Sequence, residues 1–175
     1  PFVSTDFSGG ARTRHCAVND TTQVRLLDAW QQCQRHAHHM AHAISAIAPT
    51  LPLTANALTQ LSDEAVQDWD QFVLRFTKLQ DTLGARLFPA LLEHLQEPYE
   101  DRPMLDKLHR LEKLGYLPKL DDWQALRVIR NRFAHDYPED DALKAAYLNE
   151  AISAVPLMHA LLAGIAPVIE GLQPS

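Results

Sequence analysis

SDEAVQDWDQFVLRFTKL, residues 62–79, decides the fold class. Ser62 is a favourable N-cap, and Asp63 and Glu64 put negative charge where a helix N-terminus is positive. Val66, Trp69, Phe72, Val73, Phe76 and Leu79 then recur at helical spacing, with charged residues between them. A half-buried strand would instead alternate with period two, so the stretch predicts an amphipathic helix with an aromatic inner face.

The same reading extends in both directions. Downstream, Gly84 and Pro89 predict a division or bend before ALLEHL, 90–95, resumes the helix. Asp101 reads as a cap for a helix carrying Met104, Leu105, Leu108, Leu111 and Leu114, with Gly115 as its stop. After a short link, Asp121 or Asp122 can cap a helix with Trp123, Leu126, Arg130, Phe133 and Tyr137 at steps of 3, 4, 3 and 4. Pro138 breaks the chain into a final helical region over 139–172, in which Pro156 and Pro167 predict kinks or boundaries.

Upstream, residues 48–61 form a connector preceded by a long polar helix. Its apparent stripe is Val24, Leu27, Trp30, Ala37, Ala41 and Ile44, interrupted by Gln34. Residues 1–21 lack periodicity and read as a flexible arm, leaving 22–175 as one domain. The expectation is an all-α, up-and-down bundle of four or five principal helices.

At 175 residues, 46% apolar and 22% charged, the chain has the composition of one globular core. No run approaches eighteen uninterrupted apolar residues, which predicts a soluble, cytoplasmic protein without a membrane partner. Cys16 and Cys33 make neither a disulfide framework nor a thiolate metal site. The net charge of −6 argues against indiscriminate nucleic-acid binding, yet 102–132 carries eight basic residues against four acidic ones. A polyanion can therefore be handled locally.

RNRFAHDY, 130–137, is where chemistry concentrates. An arginine fork matches phosphate oxygens, and a histidine exchanges protons near neutrality. Asn131 can orient either group or the substrate, while the Tyr137 phenol can hydrogen-bond the same anion. On a helical wheel Arg130 and His135 stand about 140° apart, so one regular helix does not aim both at one atom. Either the last turn loosens, or a two-fold partner brings a second copy alongside. The plainer reading pairs Arg130 with Asp81 or Glu64, leaves Arg127 and Arg132 in solvent, and makes His135 a helix-terminal histidine.

The stretch resembles the R-x4-H-x-Y signature of the HEPN superfamily, in particular the toxins encoded beside a minimal nucleotidyltransferase. Arg130, Asn131, His135 and Tyr137 match the motif, and the helical context agrees over 62–158, including KLQDTLGARLF with Lys78 and Asp81. The resemblance implies a homodimer, or a dimer of dimers, acting as a metal-independent endoribonuclease of a type VII-like toxin–antitoxin pair. It makes Arg130 and His135 catalytic, Asn131 supporting, and Tyr137 the residue adenylylated by a nucleotidyltransferase antitoxin. No cofactor or metal is implied. The superfamily also contains non-catalytic nucleotide- or partner-binding subunits, which is the alternative.

Asp81 is the carboxylate best suited to orient a motif arginine, while Arg127 and Arg132 are candidate RNA contacts. Lys78, Asp81, Arg86 and Glu93 can form a second polar wall. The histidines of QRHAHHMAH, 34–42, lack the glutamate of a zinc helix and read as a solvated or interface face.

Overall fold

The computed structural model describes residues 10–97, 100–135 and 139–172, with side chains described from residue 21 onward except at position 135. Seven α-helices follow one another: α1 Gly10–Ile47, α2 Ala55–Thr59, α3 Asp63–Thr82, α4 Phe88–His94, α5 Met104–Lys113, α6 Leu120–His135 and α7 Asp141–Glu170. A π-helical turn, Leu83–Leu87, joins α3 to α4, so 63–94 forms one long rod. No strand occurs among the described residues.

Side-chain pairs give the topology. Arg25 meets Glu93, Asp28 meets Arg86, His36 meets Arg75, and Thr50 meets Trp69, so α1 runs antiparallel to the α3–α4 rod. On the rod's other side, Trp123 stacks near Phe88, Arg130 meets Asp81, and Phe133 meets Phe76; α6 is antiparallel to it as well. Arg132 pairs with Glu150, while Gln23 donates to the Leu172 carbonyl and Leu53 exchanges hydrogen bonds with Asn149. These contacts close an up-down-up-down bundle of α1, α3–α4, α6 and α7. The short α5 packs beside α4 and α6, and α2 lies on α7.

Local chemistry explains the boundaries. The Ser62 hydroxyl accepts the Ala65 N–H at 3.2 Å, and Asp140 caps α7 by accepting the Leu143 N–H at 2.7 Å. Gly115, at φ +84°, ends α5 in the left-handed conformation its position requires. Pro156 and Pro167 lie inside α7 without ending it, both on its exposed side. Alone among the described helices, α7 is long and apolar enough to cross a membrane. In this fold its Leu148, Met158, Leu161 and Ile165 are buried in the core.

Several expectations are corrected. The buried face of α1 is Leu26, Ala29, Cys33, Met40, Ala43 and Ile47, rotated by about one residue from the predicted stripe. Val24 is 64% exposed, and Gln34 interrupts nothing because the stripe runs through Cys33. Helical backbone begins at Gly10, within the segment read as an arm. Asp101 does not cap α5, whose N-cap is Pro103, and Asp121 and Asp122 sit in the first turn of α6 instead of at its cap. There the Leu120 N–H donates to Glu112 at 2.9 Å.

Candidate functional site

The site grows from the packing of α6 on α3. Trp123 and Leu126 are buried, and Ile129 completes the inward face. One residue further round the helix, Arg130 emerges at the edge of the core with 27% of its side chain exposed. Its guanidinium meets Asp81 on α3 as a fork: Nε donates to Oδ1 at 2.8 Å and Nη2 to Oδ2 at 3.0 Å. Nη1 points towards Asn131 Oδ1 at 3.4 Å. Of the two carboxylates the sequence offered as partners, Asp81 takes the arginine, whereas Glu64 stays in the first turn of α3. The hydrogen bonds that Arg130 donates to Asp81 hold its pKa above an already basic value, outweighing partial desolvation.

Beside this pair lies an open cleft of about 500 Å³, whose walls include Gln80, Asp81, Gly84, Met104, Trp123 and Arg127. Gly84 is required by the close approach of helices: a Cβ there would stand 2.9 Å from Trp123 Cζ2. The buried Trp123 Nε1 has no acceptor among the described residues. Arg127 is exposed and makes no ion pair with any described residue. A cation, a fixed carboxylate and an apolar wall therefore share one concavity, a combination suited to an anionic, partly apolar ligand.

The structure separates the other basic residues of the motif. Arg132 turns towards α7, where it pairs with Glu150 and lies over the Tyr147 ring at 4.5 Å from its centroid. Arg127 and Arg130 stay beside α3. Arg86 and Glu93 also leave the expected polar wall, because both face α1 through Asp28 and Arg25. His135 is the last residue of α6, and its side chain lies outside the described residues, as does Tyr137. Trp69, Phe72 and Phe76 are core, packed edge-on or tilted against one another.

Sequence reasoning missed Gln80, Gly84 and Trp123 as walls of the cleft. Gly84 read as a breaker, and the signal that it is a contact point is visible only once Trp123 is placed opposite it. Among the described residues no cluster of three or more His, Cys, Asp or Glu side chains is arranged to hold a metal ion. No family model, curated protein or solved structure matches the chain.

Proposed function

We propose that the chain is a HEPN-like, metal-independent endoribonuclease of a toxin–antitoxin pair. The observation that carries this reading is the Asp81–Arg130–Asn131 arrangement. The motif arginine is neither lost in the core nor free in solvent, but fixed by a carboxylate at the rim of a cleft. Asp81 occupies two of the five guanidinium N–H donors, leaving others for phosphate oxygens. The resemblance of 130–137 to R-x4-H-x-Y adds His135 as the proton-transfer group and Tyr137 as the adenylylation acceptor for a nucleotidyltransferase.

The reaction is transesterification. The 2′-oxygen of RNA bonds to the adjacent phosphorus and the bond to the 5′-oxygen breaks, leaving a cyclic phosphate and a free 5′-hydroxyl. His135 accepts the 2′-hydroxyl proton and returns one to the departing oxygen. Arg130 stabilises the charge that develops on the phosphoryl oxygens. The wide angle between positions 130 and 135 on α6 supports a two-fold dimer in which the copies meet.

Cleavage of end-labelled RNA in the presence of EDTA tests the proposal. Activity is expected to persist, to stop with a 2′-deoxy substitution at the cut site, and to vanish in His135→Ala with helicity unchanged. Equal cleavage by His135→Ala in a nuclease-free preparation would defeat it. The engagement of Arg130 by Asp81 also fits a second reading, a non-catalytic subunit that binds a nucleotidyltransferase. That reading predicts partner binding without RNA cleavage, undisturbed by Arg130→Ala and His135→Ala.

A further inference from the structure

The groove between α1 and the α3–α4 rod has two halves with opposite charge accounting. At the α4 end every arginine that spans the groove meets a carboxylate: Arg25 pairs with Glu93 at 3.0 Å and Arg86 with Asp28 at 2.8 Å. At the α3 end none does. Arg75 Nη1 lies 3.4 Å from His36 Nδ1, and with the Gln71 amide turned so that its oxygen faces the guanidinium, Arg75 Nε and Nη2 donate to that oxygen at 2.8 and 3.2 Å. Arg35 and Lys78 are exposed and form no ion pair with a described residue. Burial first, and then Arg75, Arg35, Lys78 and His39, lower the His36 pKa, with no carboxylate opposing them. In a chain of net charge −6, an uncompensated group of cations on one face is a local feature that the bulk charge conceals.

The patch is continuous with the candidate site. Arg75, Lys78 and Asp81 are three residues apart on α3, an oblique line across its outer face. Their axial separation is about 4.5 Å per step. The line ends at Asp81, whose charge is offset by Arg130.

Resting on the ribonuclease reading, we infer that Arg35, Arg75 and Lys78 form a track for the phosphate backbone of single-stranded RNA, guiding it from α1 over α3 to Arg130. Neutral Gln71 and His36 orient Arg75 without cancelling its charge, leaving that charge to the strand. The track lies largely outside the 130–137 motif and explains how an acidic protein engages a polyanion on one side only.

The test is fluorescence anisotropy with a labelled, mixed-sequence, single-stranded 20-nucleotide RNA, read at several salt concentrations. All variants are built on Arg130→Ala so that the probe stays intact. Arg35→Gln/Arg75→Gln/Lys78→Gln is expected to weaken binding at least tenfold at low salt and reduce the slope of log affinity against log salt by about 2. Arg25→Gln/Arg86→Gln, in the balanced half, should stay within about twofold of the parent on the same electrostatic argument. If the triple variant loses helicity, the exposed Lys78→Gln alone should lower the slope by about 0.7. Equal losses in both halves, an unchanged slope, or binding to phosphatidylserine vesicles as tight as to RNA would each overturn the track. Cleavage by the unsubstituted protein separates the two ideas. Normal cleavage with an unchanged slope defeats the track alone, whereas a reduced slope with no cleavage defeats the ribonuclease reading alone.

Discussion

Among the described residues two arginine–carboxylate forks occur, and their difference shows what makes one a candidate site. Arg110 on α5 meets Glu97 just beyond α4 at 2.8 and 2.5 Å; Arg130 on α6 meets Asp81 on α3 at 2.8 and 3.0 Å. In both, the carboxylate raises the arginine pKa. The Arg110 pair ties a short helix to the rod and ends there. The Arg130 pair adjoins the cleft, Asn131, the exposed Arg127 and the Trp123 indole N–H, the last two without an ion-pair or hydrogen-bond partner among the described residues. Geometry of the fork is shared, so function must come from its surroundings.

The largest effect that separates the pairs is catalytic. Under the proposed reading, Arg130→Ala should lower RNA cleavage by about 10²–10³-fold, the scale for removing one transition-state donor. Arg110→Ala should leave the initial rate within about twofold because it touches only the α4–α5 clasp. Comparable losses in both would mean that Arg130 acts through stability alone, which chemical denaturation of the same proteins would reveal.

The next effect probes the cleft wall. Gly84→Ala places a methyl 2.9 Å from Trp123 Cζ2, between a rod and a helix with little room to shift. A cost of about 1–3 kcal/mol is expected from overpacking, measurable by urea unfolding. Indole fluorescence should change with it. A neutral substitution would show that Trp123 is free to move, and the cleft would then lack a fixed floor.

The all-α class and most helix boundaries were legible because Ser62, Gly115 and the 62–79 stripe agree with one another at every level. The face of α1 was not, since Leu26 and Leu27 are both apolar and adjacent alanines blur the phase. Only Cys33 and Met40, both fully buried, fix it. At the site, Asp81 was legible as a partner for Arg130, because a half-buried arginine on an apolar stripe demands a carboxylate. The cleft was not, since it depends on Gly84 meeting Trp123 across two helices. The split between Arg130 and Arg132 follows from the wheel alone, as two residues place them about 200° apart.

A smaller effect bears on how Glu97 reaches Arg110. Both α4 and α5 end in the same hydrogen-bonded turn: Glu97 N–H reaches the Leu92 carbonyl at 2.9 Å, and Tyr116 N–H reaches that of Leu111 at 3.0 Å. The left-handed residue is Gly115 in one and Gln96, at φ 57°, in the other. Gln96→Gly should therefore stabilise the fold by about 0.5–1 kcal/mol without altering the clasp, as seen in the denaturation midpoint. Destabilisation would mean that the Gln96 side chain contributes more than its backbone costs.

The last and smallest effect is the pH dependence of the clasp itself. Hydrogen bonds from Arg110 hold the Glu97 carboxyl below its ordinary value; desolvation, the next influence, pushes it up by less, and the Arg110 charge adds a smaller lowering. A group whose pKa is lower folded than unfolded contributes stability above its unfolded pKa and loses it as pH falls through the folded one. The melting-temperature gap between the unsubstituted protein and Glu97→Gln should thus be widest at neutral pH, begin to narrow near about pH 4, and close below that. High salt should shrink the gap at pH 7, because an exposed pair is screened. A gap that persists unchanged into acid would assign the contribution of Glu97 to packing, and the clasp would no longer serve as the electrostatic counterpart of the pair at Arg130.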